Sequence, residues 1–96
     1  MISVESIRSG SWANTVDSEK RRVQTELRGR LNLELVRELQ AQIKQLPGFD
    51  PQMDHLVDCR ELVSVDTPFW NFRSMHQTSP FHPSARQAVV IRSSLG

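Results

Sequence analysis

The chain has 96 residues, enough for one domain at most, and a chain this short buries only about two-thirds of its unfolded surface. Twelve basic residues against eleven acidic ones leave a formal charge of +1, so there is no bulk field to gather nucleic acid or anionic lipid. A single cysteine, Cys59, excludes an internal disulfide and a zinc site built on several thiolates; together with the lack of an apolar run suited to a signal peptide or a membrane span, it points to the cytoplasm.

Residues 1–11 are mixed in character, with Ser9-Gly10-Ser11 near their end, and read as a tail or a short edge strand. Trp12, Asn14 and Val16 alternate with smaller residues and suggest a first strand. After a polar turn, Asp17-Ser18-Glu19-Lys20, comes RRVQTELRGRL. Here Val23, Thr25 and Leu27 point one way and Arg22, Gln24, Glu26 and Arg28 the other. That alternation predicts a half-solvated strand, the second arm of a hairpin.

Helical spacing follows. Asn32 can cap the helix and Glu34 suits its positive end. Leu35, Val36, Leu39, Ile43 and Leu46 form the apolar stripe, and Pro47-Gly48 stops it. HLVDC, residues 55–59, is a short apolar strand. Its place after a helix predicts pairing parallel to the preceding strand through a right-handed crossover. Asp66-Thr67-Pro68 is a helix-start signal, with Phe69, Phe72 and His76 on one stripe, Met75 beside it, and Trp70 further round. TSPFHPS at 78–84 reads as a loop, and RQAVVIR at 86–92 as a last strand, aliphatic enough to lie inside the sheet. The expectation is an α/β fold, a mixed β-sheet of order β-β-α-β-α-β with an N-terminal hairpin and helices packed on one face.

LVDCRELVSVDTPFWNF, Leu56 to Phe72, resembles the centre of STAS domains, the family of the sporulation anti-sigma-factor antagonists. In that family a strand ends in a polar residue, and eight residues on an Asp-Ser-Ser-Gly run opens the next helix. Asp58 and Asp66 take those two places at the same spacing. LRGRL at 27–31 looks like the family's strand-ending Gly-x-Leu, and ARQAVVIRSS looks like its next strand. GFDPQMDHLVDCREL is closer still to a set of small bacterial STAS-like proteins. The match runs from about Trp12 to Leu95, with residues 12–96 as the STAS-like domain.

The resemblance implies a regulatory module that works by binding proteins. Two departures bear on it. The family's phosphorylated serine is replaced by Pro68, and the glycine after it by Phe69; Thr67 keeps a hydroxyl only in the first place of the pair. The family pattern also has one or two more helices after the last strand, where this sequence has Gly96.

The candidate switch and docking residues are therefore Asp58, Arg60, Asp66 and Thr67. Each has a plain structural alternative. Thr67 can be the helix cap with Asp66 at the positive end of the dipole, and Arg60 can pair with an acid on a solvated rim that also carries Glu61. The aromatic residues Phe69, Trp70, Phe72 and Phe81 are either core or the contact for a partner or an apolar ligand. Cys59 adjoins an acid, which raises a thiol pKa, and reads as packing. His55, His76 and His82 show no ligand spacing, the four glycines form no phosphate loop, and Lys20-Arg21-Arg22 has no interleaved aromatics. The expectations are no metal, no cofactor, no nucleic acid and no catalytic constellation. Three functions then rank in order: a STAS-like protein-interaction module, acting on a protein partner or as a homodimer; a carrier of a small apolar, lipid-like molecule; and an enzyme.

Overall fold

The computed structural model describes the backbone of residues 4–8 and the full residues 11–65 and 78–92. Five strands form one sheet, in the order of the chain: β1 (Val4–Arg8), β2 (Trp12–Asp17), β3 (Arg22–Leu31), β4 (Asp54–Val65) and β5 (Gln87–Val90). β1, β2 and β3 are antiparallel neighbours, whereas β3–β4 and β4–β5 are parallel. One helix among the described residues, α1 (Leu33–Gln45), makes the crossover from β3 to β4. The α/β class, the mixed sheet and the parallel step after the first helix agree with the sequence expectation. The second helix, expected from Thr67 onwards, lies outside the described residues.

The alternation in β3 is realised. Val23, Thr25 and Leu27 are buried, and Glu26 and Arg28 are exposed. The β2–β3 turn is closed by Asp17, whose Oδ1 accepts from the Lys20 amide at 3.1 Å. Arg21 takes the left-handed conformation, φ 53°. Its guanidinium pairs with Asp50 at 2.8 Å, and its carbonyl accepts from the Asp54 amide. The turn is thereby tied to the start of β4.

Asn32 caps α1, its Oδ1 accepting from the Leu35 amide at 2.8 Å. Val36, Leu39 and Ile43, then Leu46 just past the last turn, bury the stripe against Trp12, Val16, Val23, Leu27 and Leu31 of the sheet, with Met53 closing the base. Leu35 is only partly buried. Gly48, at φ 82°, turns the chain where an added Cβ would stand 3.2 Å from Ser18 Oγ, so both the backbone and the space favour glycine.

Two features depart from the sequence reading. β4 does not end at the Asp58–Arg60 corner but continues to Val65. β3 is ten residues long, and its last four residues also need a neighbour. β4 supplies one through two bulges: Glu26 faces Asp58 but Arg28 faces Glu61, and Gly29 faces Leu62 but Arg30 faces Ser64, one extra β4 residue each time. β5, expected inside the sheet, stands instead at the end of the strand order, and its four residues are exposed. An aliphatic run reports apolar surroundings on its faces, not a neighbour on both edges.

Candidate functional site

The bulges decide what the helix-side face of β4 presents. His55, Val57 and Cys59 alternate onto that face, and a strand with strict period would next offer Glu61 and Val63. With one extra residue in each bulge, Leu62 and then Val65 take the inward places. Val63 is left outside, 79% exposed.

The result is an apolar recess of about 700 Å³ between α1, the helix-side face of β3, β4 and β5, and the loop at 79–81. Leu27 and Leu31 come from β3, Val36 and Leu39 from α1, and Val57, Cys59, Leu62 and Val65 from β4. Val89 and Ile91 bound the β5 side, and Phe81 walls the end next to His55. The Phe81 ring stacks on the His55 imidazole at 4.3 Å between centroids and meets Phe49 edge-on at 5.4 Å. The backbone fixes this loop from outside, because the His82 amide donates to the Pro51 carbonyl at 2.8 Å.

The recess has a polar end, and its groups are ordered by a single chain of hydrogen bonds. Asn14 and Thr25 are direct partners across the β2–β3 pair, and His55 lies one diagonal step further on. Asn14 Nδ2 donates to the Leu39 carbonyl at 3.1 Å, which leaves Oδ1 as the acceptor for the Thr25 hydroxyl at 2.8 Å. The one hydroxyl proton is then spent, so the 2.8 Å contact between Thr25 Oγ1 and His55 Nε2 requires the ring nitrogen to donate. Nδ1 is left bare and accepts from Gln87 Nε2 at 3.3 Å. Every member is satisfied by a neutral imidazole. Burial, with His55 only 8% exposed, pushes its pKa down to about 4. Among the described residues no buried side-chain nitrogen or oxygen lacks a partner.

Cys59 is half-buried, and its thiol pKa is raised, first by burial and then by the charge of Asp58. A thiol held protonated is a poor nucleophile.

Of the residues singled out from the sequence, Phe81 is placed in the recess wall. Asp58 and Arg60 are not among the lining residues. Arg60 clasps Asp58 through Nε and Nη2 at 3.0 and 2.8 Å, and its amide adds a third bond at 3.0 Å. That clasp pulls the Asp58 carboxyl down to about 2. It is a partly exposed pair within one strand, an arrangement of small energetic consequence. Asp66, Thr67, Phe69, Trp70 and Phe72 lie outside the described residues.

The sequence reading did not single out Asn14, Thr25, His55 or Gln87 as a group. Their signal was present: Asn14 and Thr25 occupy inward positions of two strands whose other inward residues are apolar, and a polar residue there needs a partner. Among the described residues no cluster of three or more His, Cys, Asp or Glu could hold a metal, and no helix is long and apolar enough to cross a membrane.

No family model, no curated protein and no solved structure matches the chain.

Proposed function

We propose that the chain is a non-catalytic binding module of the cytoplasm, built on a STAS-like β-β-α-β-α-β plan, that takes a small apolar molecule into the recess. The observation that carries this reading is the recess itself. Its volume, about 700 Å³, falls in the range of small-molecule sites, and its mostly apolar wall with a few fixed polar groups is their usual make-up. The sequence reading ranked protein docking first and an apolar-ligand carrier second; the recess is what favours the carrier here. The non-catalytic part of the proposal rests on the same groups. Both His55 nitrogens are committed to neighbours, and the Cys59 thiol is held protonated, so neither supplies a base or a nucleophile.

The test is equilibrium titration with an uncharged solvatochromic dye, on the native chain and on Val57→Trp, which fills the recess. Saturable one-to-one binding that Val57→Trp abolishes, with its circular dichroism unchanged, supports the reading. Non-saturable binding, or equal binding by the filled variant, overturns it.

A second reading is favoured by one specific observation. Val65 near the end of β4, Val89 in β5 and Ile91 just past it expose apolar surface along one rim of the recess, with Ile91 71% exposed. Contiguous apolar surface marks contact sites, and a STAS-like interaction module would dock its protein partner, or a second copy, there. Capture of partners by native chain and by Val65→Asp/Ile91→Asp, with light scattering on both, tests it. A prey or a dimer that survives both charges rules this surface out.

A further inference from the structure

We propose that the recess admits one uncharged apolar molecule and rejects the same skeleton when it carries a carboxylate or an ammonium group. This rests on the reading of the recess as a ligand site and names the class of ligand. No Asp, Glu, Lys or Arg is among the described residues that line it. Two charged pairs beside the recess are spent on each other outside the lining: Arg86 clasps Asp54 through two bonds, at 2.9 and 3.2 Å, and Arg60 clasps Asp58 through two, at 3.0 and 2.8 Å.

The polar end offers no charge either. Thr25 has given its proton to Asn14 and accepts from His55, and both imidazole nitrogens are engaged. A carboxylate there would meet no free donor on the ring, and an ammonium would meet no carboxylate among the described lining residues. Gln87 is one polar lining group with capacity to spare. Its Nε2 donates once, to His55, and a carboxamide has further donor and acceptor capacity. One hydroxyl or carbonyl on the ligand can therefore be satisfied at the β5 side. A charge moved from water into such a wall finds no charged partner among the described residues, so affinity falls by at least about a hundredfold.

The chain carries its own reporter. Cys59 is its only cysteine and lines the recess, so an occupant slows its alkylation by N-ethylmaleimide, an uncharged reagent. The experiment compares protection of Cys59 by 1-decanol, decanoate and decylammonium, with amide chemical shifts confirming a folded chain in each titration. Saturable protection by decanol, with decanoate and decylammonium at least about a hundredfold weaker, is the expected result. Val89→Arg places a cation at the exposed β5 edge of the recess and should improve decanoate at least tenfold. Equal protection by all three compounds overturns the charge selectivity and leaves the ligand site standing. Unchanged alkylation in all three overturns the ligand site itself, and the selectivity with it.

Discussion

Replacing Thr25 with valine takes one oxygen from the middle of the buried hydrogen-bond chain and keeps the side chain's shape. Thr25 is 1% exposed, so water cannot stand in for the hydroxyl. Two groups lose their partner, Asn14 Oδ1 and His55 Nε2, each 2.8 Å from the hydroxyl oxygen. A buried polar group left unsatisfied costs about 1–3 kcal/mol. His55 can soften its share by moving the proton to Nδ1 while Gln87 turns its amide oxygen inward. Asn14 cannot turn without giving up its bond to the Leu39 carbonyl. The sum comes to about 3 kcal/mol, a large part of the roughly 5–15 kcal/mol that holds a domain together. Urea unfolding followed by far-ultraviolet circular dichroism should show a lower midpoint with the slope unchanged. His55→Phe is the companion variant, because it keeps a ring against Phe81 and removes both nitrogens. Thr25→Val/His55→Phe should cost less than the two single changes added, by about 1–2 kcal/mol, since the second change removes a group the first had already orphaned. A Thr25→Val loss under about 0.5 kcal/mol, or strict additivity, would refute the hydrogen-bond chain.

Three other outcomes are expected. His55 sits at about 4 in the fold against an ordinary 6.5, so between those values the unfolded chain binds a proton that the folded chain refuses. Stability is therefore full above pH 6.5, falls as the pH drops and levels off below 4, by about 3 kcal/mol at most; urea midpoints against pH should lose this slope in His55→Phe. The Asp58 contribution is lost lower, as the pH falls from 3.8 toward 2. Asn32→Ala removes the α1 cap bond to the Leu35 amide and should lower stability by about 1 kcal/mol, read from the same unfolding curves. The alkylation rate of Cys59 should reach its half-maximum above the ordinary thiol value of 9.0. Asp58→Asn should move that midpoint down only slightly, because burial is the larger cause; a midpoint at or below 9.0 in the native chain contradicts the placement of the thiol.

The elements that could be read from the sequence are those whose period is regular. Val23, Thr25 and Leu27 alternate without interruption, and α1 keeps its helical spacing from Leu35 to Leu46 between a cap and Pro47. In both, one face meets water and the other the core, so burial writes itself into the order of residues. The parallel step to β4 followed from a helix between two strands, a matter of chain geometry. The far half of β4 failed for the opposite reason. Two extra residues break its period, so ELVSV looked like a connection when it was still strand. The residues that the bulges re-aim, Leu62 and Val65, are the ones that complete the recess. The polar end was hidden by distance: Asn14, Thr25 and His55 are 11 and 30 residues apart in steps, and only the sheet's register brings them together. Regularity makes a fold legible, whereas this site is built from an irregularity and a long-range pairing. A change that restores the period of β4 would therefore damage the recess more than the fold, because the core contacts of Val23, Leu39 and Ile43 do not depend on it.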